Sequence, residues 1–318
     1  MANRHCSFKV ELLITLGVLL LLSGFAHSRE PGRATAAQVP VHMTVTAEAQ
    51  RDDDVPLVAR EDVTVLQGHD RDEVTNLIPL RGDHASLELF VLIDDALQTN
   101  TGSQLEDLRR FIADKPPTTL IGVAYMRDGT VDIAQNLTND RVQSAKAVRL
   151  PLGYVSAISS PYLSLVDLIK RWPETGVRHE VLMISDGIDR FGGTNPANPY
   201  VDSAIEQAQR AGVLVYAIYV TGVGQYGRSF WHLSWGQNYL SELADETGGD
   251  AYFQGYSTPV SLSPFLNQFN KRLNNQYRLE FLAKAQKKAG LQPVKVKTED
   301  HKIEIVAATK VWVPADSE

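Results

Sequence analysis

The chain changes its hydrophobic rhythm twice. Between Val39 and about Asp83, apolar residues alternate with polar ones: Val41, Met43 and Val45 first, then Val63 and Val65. The acidic turn Asp52-Asp53-Asp54 and an apolar patch at Val55 to Val58 separate them. Period two with turn signals between the runs predicts antiparallel strands, each with one wet face. From Leu87 to about Gln276 the apolar runs become continuous: Glu88 to Ile93, Leu120 to Tyr125, Val181 to Ile184, Val213 to Val220 and the shorter Ala251 to Phe253. Such runs suit strands buried on both faces of a parallel sheet. After Gln276 the alternation returns at Tyr277 to Leu282, Val294 to Lys297 and Ile303 to Val306.

Helical stripes fall between the continuous runs. Ser103 and Glu106 form a capping-box pattern ahead of Leu105, Leu108, Phe111 and Ile112. Ser160-Pro161 opens a second helix carrying Leu163, Val166, Ile169 and Trp172. A third runs from Val201 to Arg210 before Gly212, a fourth from Leu240 to Thr247 before Gly248-Gly249, and a fifth follows Ser263-Pro264. Strands alternating with helices predict βαβ units in a doubly wound, mostly parallel sheet. Asp128-Gly129, between Leu120 to Tyr125 and Val131 to Ala134, reads as a hairpin turn that adds one antiparallel edge strand. The flanking β segments are each too short to stand alone, so pairing them into one small sandwich-like subdomain is expected.

The amino terminus reads differently. Arg4, His5 and Lys9 precede an apolar run from Leu12 to Phe25, and Ala26-His27-Ser28 offers small residues for cleavage. That order is a secretory signal, and the run falls short of the roughly 20 residues that span a bilayer. The expected organisation is a signal peptide at 1–28, a linker at 29–38, an N-terminal β segment at 39–86, an α/β domain at 87–276 and a C-terminal β segment at 277–318. Export to a periplasmic or extracellular space follows, with no membrane span after cleavage. Cys6, the one cysteine, precedes the apolar run, so thiol chemistry and cysteine metal sites are excluded from the mature chain. The 318 residues are 43% hydrophobic and 22% charged, as in an ordinary globular protein. A net charge of −7 without a basic face argues against nucleic acid as a partner.

Candidate chemistry sits where the strands end. Ligands of open α/β sheets bind beyond the carboxyl ends of the strands. The first parallel strand ends in Asp94-Asp95, and Val181 to Ile184 ends in Ser185-Asp186-Gly187. Paired carboxylates there suit Mg²⁺ or Ca²⁺. The strand ending in Asp94, the hairpin, the Ile184-Ser185-Asp186-Gly187 strand end and the Leu243-Ala244 to Thr247-Gly248-Gly249 segment together resemble a von Willebrand factor A domain over residues 87 to 276. The resemblance implies reversible binding of a ligand or partner, with no catalysis. It also implies a metal site of Asp-x-Ser-x-Ser after the first strand, a later threonine and an Asp after the fourth strand. Mapped by that resemblance, the candidate ligands are Asp94, Gln98, Ser160 (or its neighbour Ser159) and Asp186, and Ala96 stands where the first serine would be. The set lacks two hydroxyls, so it would hold Mg²⁺ only weakly. The other reading has Asp94 and Asp186 satisfied by N–H groups at helix amino termini. Asp189 and Arg190 read as surface charges.

Gly222 to Gly227 matches a dinucleotide fingerprint, but the following residues to Gly236 read as loop and the next strand ends without a carboxylate. The same stretch crowds Tyr226, Phe230, Trp231 and Trp235, a candidate surface for an unidentified protein partner. No His-x-x-x-His pair or Gly-x-Ser-x-Gly elbow is present. The expected function is therefore an exported, non-enzymatic protein that binds a partner through the carboxyl-edge loops, without a tightly held metal. Mg²⁺-dependent binding at Asp94 and Asp186 is the alternative, and a hydrolase or nucleotide-binding enzyme on the same fold is the third.

Overall fold

The computed structural model describes residues 37–50, 55–193, 195–224 and 229–316. The expected signal peptide, most of the expected linker, and Tyr226 lie outside them.

Six strands form the larger α/β sheet: β4 (Leu87–Asp94), β5 (Thr119–Arg127), β6 (Thr130–Thr138), β7 (Arg178–Ser185), β8 (Val213–Tyr219) and β9 (Ala251–Tyr252). Their spatial order is β6-β5-β4-β7-β8-β9. All neighbours are parallel except the β5–β6 pair. The order reverses at β4 and β7, which makes the carboxyl ends of these two strands the switch point. The β5–β6 hairpin turns on Asp128 (φ 51°) and Gly129 (φ 71°), the left-handed pair that a two-residue turn requires.

Both faces of the sheet are covered. Leu87, Leu89, Val91 and Ile93 of β4 face α1 (Gly102–Ala113), α2 (Arg141–Ala147) and α6 (Ser263–Asn274). Phe90 and Leu92 face α3 (Pro161–Arg171), α4 (Pro199–Ala211) and α5 (Phe230–Thr247). Every β4 residue is buried, so its continuous apolar run reports two covered faces.

Two local expectations are corrected. The α1 helix begins at Gly102 with its N-cap at Thr101, two residues before the expected cap Ser103: Leu105 N–H donates to Thr101 O (3.0 Å), and Thr101 makes no side-chain cap. The residues before Gly236 are helix and not loop: α5 starts at Phe230 and continues to Thr247. In contrast, Ser160 caps α3 as its sequence suggests, its Oγ accepting from Leu163 N–H (3.3 Å).

The terminal segments build one antiparallel sheet. Its strands are β1 (Gln38–Ala49), β2 (Val63–Gln67), β3 (Asp70–Pro79), β10 (Gln276–Lys284), β12 (Lys295–Thr298) and β13 (Ile303–Ala307), ordered β12-β2-β3-β10-β1-β13. A second pair, β11 (Gly290–Pro293) with β14 (Lys310–Val313), contributes Val311 and Val313 to the same core. The strand that follows the α/β region, β10, inserts between β1 and β3, which precede it. Tyr277, Leu279, Phe281 and Ala283 alternate into that core. Arg272 joins the two parts, with ion pairs to Glu48 (2.6 Å) on β1 and Asp250 (3.0 Å) before β9.

Candidate binding site at the carboxyl edge of the parallel sheet

Asp94 and Asp186 end adjacent strands and are buried. Each side chain closes its own turn. Asp94 Oδ1 accepts from Ala96 N–H (2.8 Å), and Asp186 Oδ1 accepts from Ile188 N–H (2.9 Å). Ser185 Oγ links the two turns, donating to Asp94 Oδ2 (2.7 Å) and accepting from Gly187 N–H (3.0 Å). These donors belong to the turns themselves and not to helix amino termini, a different source from the one the sequence suggested. Asx turns of this type are local and need no ligand.

Arg190 is not a surface charge. Its side chain is 2% exposed and its Nη2 lies 2.6 Å from Asp186 Oδ2. Nη1 donates to Ile188 O (3.1 Å), and the backbone N–H donates to Ser159 O (3.0 Å). Asp189 is also buried, accepting from Gly192 N–H (2.9 Å) and Asn198 Nδ2 (3.0 Å). Burial, then the Asp186 charge, push the Asp94 carboxyl up to about 6, and Arg190 opposes them. Asp94, Ala96, Asp128, Ser159, Ser160 and Arg190 line a cleft with about 10 Å³ of free space, room for about one water. Gln98 is not among the lining residues. Gly222, the first fingerprint glycine, passes so close that a Cβ there would strike the Asp186 carboxylate.

The donors present do not fit a hydrated divalent ion. Both carboxylates already accept hydrogen bonds, Ala96 has no ligand atom, Ser160 Oγ is used as a cap, and a guanidinium lies against Asp186. Among the described residues, no cluster of three or more His, Cys, Asp or Glu side chains could hold a metal.

Asp95, to which the sequence assigned no role, anchors the next loop. Arg149 (2.7 Å) and Arg127 (3.0 Å) both pair with its buried carboxylate. Burial pushes this carboxyl up, yet the two guanidiniums outweigh it and hold it below the usual range. Leu152 N–H donates to Asp95 Oδ1 (3.2 Å) and Tyr154 N–H to Asp95 O (3.0 Å). The tethered loop leaves Leu150, Leu152, Tyr154 and Ile158 exposed. A doublet of acids at a strand end was the available signal, because alternation turns only one of them into the cleft.

The aromatic candidates divide. Phe230 and Trp231, on the first turn of α5, are 57% and 73% exposed. Trp235 turns inward, its ring 5.8 Å from that of buried Tyr239. Phe230 also meets Tyr256 (5.0 Å) in the loop after β9. Apart from Leu57 and Val142, every exposed large hydrophobic among the described residues lies at this edge.

The strand order, the lone antiparallel edge strand and the placement of helices are those of a von Willebrand factor A-like fold, as the sequence resemblance implies. No family model matches the chain, and no curated protein sequence does. Solved structures do. An aerotolerance-related membrane protein from Bacteroides fragilis NCTC 9343, with multiple mutations to serines, aligns at 16% identity and TM-score 0.38, covering 59% of this chain and 99% of its own. The VWA domain of SpRpn10 aligns at 14% identity and TM-score 0.39, covering 59% and 97%. The open conformation of the pilus adhesin SpaC from Lactobacillus rhamnosus GG aligns at 7% identity and TM-score 0.43, covering 84% of this chain and 46% of its own.

Proposed function

We propose that this is an exported, non-enzymatic binding protein that docks a protein partner on the carboxyl-edge face of its α/β domain. The observation that carries the reading is the gathering of exposed apolar side chains there, with Phe230 and Trp231 foremost. A soluble protein exposes single apolar residues at random, whereas a contiguous group marks a contact surface. Arg127 and Arg149, paired with Asp95 beneath the loop that exposes Leu150 and Leu152, give that part of the face fixed cations to meet acidic groups on a partner. Asp94 and Asp186 each spend one oxygen on their own turn, and their second oxygens are taken by Ser185 and Arg190, which leaves neither carboxylate free to act as a base.

Among the described residues no helix is long and apolar enough to cross a membrane. Export rests on the signal pattern alone. The docking test is a Phe230→Ala/Trp231→Ala variant whose circular dichroism matches wild type. Crosslinking in the source organism's exported fraction should identify a partner of the wild type. Its affinity for the variant should fall at least about tenfold, since each exposed aromatic anchor contributes about 2 kcal/mol. Equal affinity would place the contact elsewhere.

A further inference from the structure

We infer that the Arg190 guanidinium is the resident cation of the Asp94–Asp186 cleft, and that removing it opens a divalent-cation site that the wild-type protein refuses. Three elements hold the guanidinium in place. Arg190 lies four residues beyond Asp186, so its side chain folds back onto the end of its own strand and pairs with Asp186 Oδ2 at 2.6 Å. Its backbone N–H is fixed by Ser159 O, just before the cap of α3. From the other side, the loop after β8 closes over the pair at Gly222, where even a Cβ would meet Asp186 and crowd Arg190 Nη2. The result is a charged side chain 2% exposed, deep in a cleft with about 10 Å³ to spare.

A guanidinium stays protonated at any ordinary pH, so this positive charge cannot be lost by titration. It is also tethered. A free ion competes with a cation whose local concentration is set by a four-residue span and not by the solution. Displacing Arg190 would strip Asp186 of a desolvated partner and require new room for the side chain. Asp186 lies behind the guanidinium and does not itself line the cleft; without Arg190 its Oδ2 would be uncovered beside Asp94, Asp128 and the Ser159 and Ser160 hydroxyls, with Arg127 the remaining cation of the lining. Oxygen donors of that kind suit Mg²⁺ or Mn²⁺.

The inference is independent of the docking proposal: a chain that captures no partner can still take up or refuse an ion. The test uses the full chain and Mn²⁺ alone, with free Mn²⁺ followed by electron paramagnetic resonance and unfolding followed in parallel. Wild type should take up no Mn²⁺ at this cleft, and its melting temperature should not respond to the ion. Arg190→Ala should bind one Mn²⁺ per chain at least about tenfold more tightly than wild type. Adding Asp186→Asn should abolish the gain. Arg190→Met keeps most of the side-chain volume and replaces Arg190→Ala if the latter unfolds. Wild-type uptake that disappears in Asp94→Asn overturns the inference, as does a folded Arg190 variant that gains no ion. Should neither variant fold, Arg190→Gln, which keeps a neutral hydrogen-bonding side chain against Asp186, takes their place in the same titration, and its gain or lack of a bound Mn²⁺ decides.

Discussion

Arg190 and Glu180 are both enclosed charges, and their surroundings treat them in opposite ways. Arg190 sits in hydrogen-bonded contact with its partner. Glu180, on β7, has its carboxyl 3.7 Å from Arg178 Nε, beyond hydrogen-bond range. Burial dominates and pushes the Glu180 carboxyl up to about 7 from an ordinary 4.5, although Arg178 pulls the other way. A carboxyl that protonates more readily in the folded chain binds protons preferentially to that state. Its contribution to stability is complete below pH 4.5 and lost as pH rises through about 7. Melting temperature should therefore fall between those values, and Glu180→Gln should flatten part of the decline. Asp94 has a shift of the same sign and accounts for some of the remainder. An unchanged slope in Glu180→Gln would show that this carboxyl is ionised throughout.

Among the elements, α5 adds a backbone-to-backbone approach to the side chains it buries. Gly236 in its second turn lies against Gly187, and a Cβ on either would enter backbone of the other segment. An alanine in mid-helix normally gains about 1 kcal/mol over glycine. Here the clash involves main chain, which cannot swing away, and overpacking of that kind costs about 1–3 kcal/mol. Gly236→Ala should lower the melting temperature by calorimetry, and a rise would refute the close approach. These glycines also explain why part of the molecule was hard to read from its sequence. The strands β4, β5, β7 and β8 were legible because two covered faces demand continuous apolar runs. Asp128-Gly129 and Ser160-Pro161 were legible because a tight turn and a helix start each need particular residues. The first turns of α5 were not, since Gly236 weakens the helical signal and its reason lies on another strand. The short helix α2 buries only Ser144 and shows no stripe. Arg190 looked like any polar residue past a strand end, and only the folded loops bring it back to Asp186.

At the scale of the whole chain, the antiparallel sheet depends on both termini. Among the described residues, β1 pairs only with β10 and β13, which follow the entire α/β region. A chain ended after Gln276 keeps β1, β2 and β3 but removes both neighbours of β1. Limited proteolysis of that truncation should cut within β1, β2 or β3, while these strands in the full chain stay protected. Protection in both would mean that the first three strands fold without the last five.

The insertion of β10 between β1 and β3 also sets an order of events. The register joins Thr46 to Gln276, residues about 230 apart, whereas neighbours in the α/β sheet are mostly close in sequence. Closing a loop that long is slow, although its extra entropic cost grows only logarithmically. The first of the described strands to be synthesised is therefore among the last to find its place. Until then Val41, Met43 and Val45 have no core to enter, and both edges of the strand can pair with another chain. Yield of the folded protein should be governed by how long that strand is kept apart from its copies, more than by how quickly the α/β domain forms.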